Sequence, residues 1–200
     1  MIARILPLMG IIALTSTIIS CNKEEGPSLQ QQLNDGTSIV TLLESYPVDS
    51  FYTKSYAGGY IFHLETNGTG MVVGKTDLSS TVSWGCNASI INGADGSLVG
   101  TGMANSDSIT SQCSDLNTAA VVCYNSSSEG FTDWYLPSQD ELSKVYNFVH
   151  NKGVGNFEPN FYWTSTQISS STAQHVLFTN GSVSFSTKSN SHFVRAVRNF

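Results

Sequence analysis

The chain has 200 residues and a formal net charge of −6, and only 12% of it is Asp, Glu, Lys or Arg. That length supports one sizeable core with appendages, and the low charge beside abundant Gly, Ser, Thr and Asn points to an extracellular β-rich or loop-rich domain. The absence of any basic block excludes nucleic acid and heparin-like polyanions as partners drawn by long-range attraction.

Arg4 precedes an apolar run, Ile5 to Ile19, that is short for a bilayer-spanning helix and suited to the core of a signal peptide. The run ends in Ile18-Ile19-Ser20-Cys21, which resembles the bacterial lipobox. Residues 1–20 are therefore expected to be a signal peptide and Cys21 the lipidated residue; the alternative is an ordinary secretory signal, or an anchor helix with a chance cysteine. Acyl chains contribute roughly 0.8 kcal/mol per buried methylene, so the membrane is an expected partner through this anchor. Losing Arg4 leaves the mature chain one unit more negative than the full sequence. Asn22-Lys23-Glu24-Glu25 looks like the signal that sends some Gram-negative lipoproteins to the outer cell surface, with a solvated tether as its alternative. The expected order is a flexible tether over 21–35, a short helical lead-in over 36–55 and one domain over 56–200.

In the lead-in, Ile39, Val40, Leu42 and Leu43 suit a short helix ended by Pro47. Asn67-Gly68 favours a tight hairpin turn, which predicts paired strands at Tyr60–Glu65 and Gly70–Val73. Next come Ile109, Cys113, Leu116, Ala120 and Cys123, spaced to share one helical face unless Asn117 and Thr118 split it into two helices. The stretch "FTDWYLPSQDELSKVYNFVHNKG" then predicts a core-facing strand with Trp134 and Leu136, a corner at Pro137, and a helix started by the Ser138/Glu141 capping box and closed by Gly153. Leu142, Val145, Tyr146 and Val149 would be its buried stripe. A sugar-stacking platform is the functional alternative for those aromatics. A second hairpin is predicted around Asn180-Gly181, with Val176 and Phe178 before the turn and Val183 and Phe185 after it.

Seven ordered motifs, "WGC" at 84–86, "GTGMAN" at 100–105, Cys113, "AAVVC" at 119–123, "DWYLPSQDEL" at 133–142, "YWTST" at 162–166 and "VRAVRNF" at 194–200, together resemble the Lcl C-terminal domain family of bacterial surface proteins. The resemblance runs from about Tyr56 to Phe200. It implies an α+β, C-type-lectin-like fold: two main helices against small antiparallel sheets and hairpins, with the chain ends joined in one sheet. It also implies recognition of host-surface glycans, as in adhesins, although fold alone does not transfer a ligand.

Apart from Cys21, the chain has Cys86, Cys113 and Cys123. In a continuous helix Cys113 and Cys123 would lie about 15 Å apart, too far for a bridge; of the pairs left, Cys86–Cys113 is preferred, with Cys123 as a buried apolar residue. Glu158-Pro159-Asn160 is similar to the triplet that holds Ca²⁺ in animal lectins, but no Trp-Asn-Asp segment follows it, and a turn before a Phe161–Thr164 strand is the preferred reading. His63, His150, His175 and His192 form no metal pair at helical spacing, and the chain carries neither a nucleophile elbow nor a phosphate loop. No enzyme activity, cofactor or metal is expected. The polar segments Gln167–Thr172 and Lys188–His192 are predicted to be exposed recognition loops, with Gln167, Lys188, Asn190 and His192 as ligand-binding residues for a glycan or surface protein. Solvated turns are their alternative.

Overall fold

A computed structural model describes residues 26–200; the signal segment, Cys21 and the Lys-Glu-Glu cluster lie outside the described residues. Ser28 caps α1 (Leu29–Asn34) by accepting from the Gln31 N–H, and Leu29 and Leu33, one turn apart, are buried in the main core. Gln30 exchanges two hydrogen bonds with the Ser55 backbone. The expected tether over 21–35 is therefore corrected: from Ser28 onward it is folded, because two leucines at helical spacing find the core. Next comes α2 (Ile39–Leu43), which buries Ile39 and Leu42 and leaves Val40 exposed.

Strands β1 (Ser55–Tyr56), β2 (Gly59–Leu64) and β3 (Gly70–Gly74) follow, with the β2–β3 turn where Asn67-Gly68 predicts it. Gly68 has φ 87°, the left-handed backbone such a turn needs. After β4 (Ser79–Ser83) the chain makes a long irregular excursion and then forms α3 (Gly102–Gln112) and α4 (Ala119–Tyr124). The single helical face predicted through Cys123 is split, with Thr118 capping α4 through the Val121 N–H. Leu116, in the break, is 82% exposed rather than buried.

The junction into α5 (Gln139–Phe148) matches its sequence closely. Trp134 and Leu136 are buried, Ser138 and Glu141 make both halves of the capping box, and of the expected stripe Leu142, Val145 and Val149 are buried while Tyr146 is half-buried. The approach is not a strand: one bridge, Tyr135 to Val197, takes the place of a ladder. The helix proper stops at Phe148, and Gly153, at φ 73°, closes a short 3-10 turn after it.

The chain ends with β5 (Phe161–Gln167), β6 (Thr172–Leu177), β7 (Ser182–Thr187), β8 (Ser191–Val194) and β9 (Val197–Asn199). Two sheets result, with orders β1-β2-β3-β9 and β4-β8-β5-β6-β7, so the N-terminal hairpin and the last strand share a sheet. All pairings are antiparallel except β5 with β8. The β6–β7 hairpin forms around Asn180-Gly181 with Val176 opposite Val183, but β7 is an edge strand, and Val183 and Phe185 are exposed instead of sharing a buried face.

Many motif residues are committed to this scaffold. The Trp84 indole donates to the Thr164 carbonyl at 2.8 Å and Trp163 to the Val82 carbonyl at 2.9 Å. Arg195, 1% exposed, binds Asp77 at 2.7 Å and the Gly74 and Gly155 carbonyls, with its guanidinium over the Phe157 ring. Arg198 makes a two-pronged pair with Asp133, which holds that carboxyl below its ordinary range.

Candidate functional site

A cleft of about 600 Å³ opens where the first sheet meets the start of α3 and the middle of α5. The β2–β3 hairpin supplies His63, Glu65, Thr69 and Met71, the loop before α3 supplies Val99, α5 supplies Lys144, and the chain end supplies Asn199 and Phe200. Its walls are mostly apolar. Gly70 makes room for one of them, since a Cβ there would stand 2.6 Å from the Phe200 ring, and Tyr56 supports that ring edge-on at 5.0 Å.

Polar groups line the rim. His63 Nε2 lies 2.9 Å from Glu65 Oε1. Burial, then the nearby Lys144 charge, lower the His63 pKa against the opposing pull of Glu65. Asn199 accepts from the Tyr135 hydroxyl through Oδ1, which fixes the amide and leaves its N–H donors for the cleft. An aromatic wall with a carboxylate, an ammonium, an amide and a hydroxyl around it can stack the C–H face of a sugar ring and hydrogen-bond its hydroxyls.

Of the residues expected to bind ligand, Asn190 is exposed, while Gln167, Lys188 and His192 are buried. The expectation that they stand in loose, solvent-facing loops is corrected. Gln167 spans the Ile91 backbone, its oxygen accepting from the Ile91 N–H at 3.0 Å and its amide donating to the Ile91 carbonyl. The Lys188 ammonium donates to Gln167 Oε1 and the Ser89 carbonyl, both at 2.9 Å, and sits 4.3 Å from the Trp84 ring centroid. Burial pulls its pKa down to about 8. These side chains pin the excursion after β4, a segment with almost no regular structure of its own. His192 packs on Trp163, with ring centroids 4.2 Å apart.

Trp134 is 2% exposed and donates to the Ser128 carbonyl, which removes it as a sugar-stacking platform. Asn160 sits in the turn before β5, where its side chain accepts from the Phe161 N–H. Among the described residues no group of three His, Cys, Asp or Glu side chains converges as a metal cage would require.

Cys86 and Cys113 form the preferred disulfide, with Cα atoms 5.7 Å apart, and tie the segment after β4 to the end of α3. Cys123 is free and fully buried, and burial pushes its thiol pKa far up. The Lcl C-terminal domain profile matches residues 74–198. The chain belongs to the Lcl C-terminal domain family. No curated protein sequence matches it.

The Lcl C-terminal span holds the second sheet, α3 to α5, the disulfide and the two structural arginines. Most of the cleft lies outside it: His63, Glu65, Thr69, Gly70 and Met71 precede residue 74, and Asn199 and Phe200 follow residue 198. Of the quoted motifs only the end of "VRAVRNF", Asn199 and Phe200, reaches the cleft wall, and nothing in that motif marks it as a binding surface. The one local signal was the hairpin at Asn67-Gly68, which fixes His63 and Glu65 on one side and Thr69 and Met71 on the other.

Proposed function

We propose that this protein is a lipid-anchored surface module whose domain, of the C-type-lectin-like type, recognises glycans. The observation that carries this reading is the 600 Å³ cleft, with Phe200 as its aromatic wall and His63, Glu65, Thr69, Lys144 and Asn199 as its polar rim. The volume suits one or two sugar rings. Family membership and the joining of the N-terminal hairpin to β9 support the lectin-like assignment. Cys21 would carry the anchor, and the Asn22-Lys23-Glu24-Glu25 sequence after it supports display at the outer membrane on the cell surface. No turnover, cofactor or nucleic-acid partner belongs to this reading.

A glycan array probed with the purified chain is the test. Reproducible, competable binding to a related set of glycans is expected; a blank array at high protein concentration would remove the sugar reading. The second reading is a receptor for a surface protein, favoured by β7, an edge strand with Val183 and Phe185 exposed. The anchor has its own assay: metabolic labelling with a fatty-acid analogue should mark the wild type and not Cys21→Ala, and equal labelling of both would remove the lipid.

A further inference from the structure

We propose that His175 and His192 form a two-imidazole site for a divalent transition-metal ion of the zinc class. The residues come from β6 and β8, which flank β5 on either side, and both rings lean over β5 between the side chains of Phe161 and Trp163. Phe161 lies 4.7 Å from the His175 ring and 5.3 Å from the His192 ring, with Trp163 at 6.1 and 4.2 Å. The two imidazole centroids are 5.1 Å apart, in an edge-on arrangement.

The unpartnered nitrogens of the pair point to a ligand, and the ring separation is compatible with one. His175 is 3% exposed and His192 9%, and Nδ1 of the first and Nε2 of the second are buried without any hydrogen-bond partner. Buried polar atoms left unpaired are rare and call for a water or an ion. The ring separation also fits. A zinc–nitrogen bond of about 2.0–2.1 Å puts the metal roughly 3.2 Å from a ring centroid, and two such rings at a tetrahedral angle lie about 5.2 Å apart.

Neutral imidazole suits zinc, copper, nickel and cobalt far better than it suits calcium or magnesium. With no third His, Cys, Asp or Glu in reach, the remaining coordination positions fall to water. Phe161, 37% exposed, is the side from which an ion would enter. The pair escaped sequence reading because its spacing is neither helical nor local; the sheet order alone brings it together.

The test is titration of the full chain, free of any histidine tag, with ZnCl₂ by calorimetry and thermal melting, beside CaCl₂ and MgCl₂. His175→Gln and His192→Gln are the variants and His63→Gln the control. Saturable zinc binding with a rise in melting temperature is expected for wild type and control, is lost in each of the two variants, and is absent with calcium or magnesium. Because a variant could fail to fold, imidazole ¹⁵N spectra of the wild type give a second readout. Zinc should shift Nδ1 of His175 and Nε2 of His192 together. Zinc binding equal in wild type and both variants, no binding at all, or unmoved imidazole signals would each overturn the site.

Discussion

Lys188 Nζ donates to Gln167 Oε1 at 2.9 Å across the face of Trp84, so a charged side chain wholly withdrawn from solvent holds the segment that follows β4. Removing either partner strands the other inside. Gln167→Ala and Lys188→Ala should each lower unfolding free energy by about 1.5–3 kcal/mol, the range for hydrogen bonds to charged groups. The quadruple change of Gln167, Lys188, Asn190 and His192 to alanine should melt well below wild type. Urea denaturation checks this, and an unchanged midpoint would return those residues to the surface.

Trp134 fills the core where the "DWYLP" corner enters α5. Trp134→Ala should destabilise by about 3–5 kcal/mol, combining lost transfer energy with the cavity left behind. Ligand binding by the fraction still folded should be unchanged. A normal melting temperature with lost binding would show that the ring is a recognition residue.

Glu141 is completely buried and accepts from the Ser138, Gly100 and Gly102 N–H groups, so it caps α5 and also holds the turn into α3. Burial raises its pKa despite those three donors. Ser138→Ala should remove about 1 kcal/mol, as for an ordinary cap. Glu141→Ala should remove more, since three backbone donors lose one acceptor together. Paired denaturation curves rank the two, and equal losses would reduce Glu141 to its capping role.

His175 titrates near 4 in the folded, metal-free protein against an ordinary 6.5. Between those values the unfolded chain binds more protons than the folded one, so stability is intact above about 6.5 and falls as pH drops toward 4. The shift corresponds to about 3 kcal/mol. The lowered pKa values of His192 and His63 act in the same direction, as a carboxyl with a raised pKa such as Glu141 acts against them. His175→Gln should flatten the slope in that window; a slope equal to wild type would assign the acid lability to other groups.

What was legible in the sequence was local. Ser138 and Glu141 stand three apart and make their box within one turn, and Asn67-Gly68 and Asn180-Gly181 carry the backbone preference of their own hairpins. Burial of Trp134 followed from an aromatic at a junction. What was not legible depends on distance along the chain. Ser89 and Lys188 meet across 99 positions, so a lysine in a Ser-rich loop read as solvated when its acceptors were simply elsewhere. Leu29 and Leu33 were lost in a glutamine-rich stretch, although Ser28 before them is a cap signal. Val183 and Phe185 alternate as a half-buried strand should, but β7 has no layer against that side, and periodicity does not say whether a face is covered. The cleft is the extreme case, assembled from a hairpin, a loop, a helix and the last two residues.

Recognition through that cleft is tested most directly by titrating the best ligand from a glycan array against wild type, Lys144→Ala and Glu65→Gln. Lys144 stands on the rim with its ammonium 5.5 Å from the Phe148 ring centroid, and Glu65 is exposed, so neither change should move the melting temperature by much. Both variants should bind at least about tenfold more weakly, roughly 1.4 kcal/mol, with the fold intact. Undiminished affinity in both would place recognition away from the cleft between the β2–β3 hairpin and Phe200.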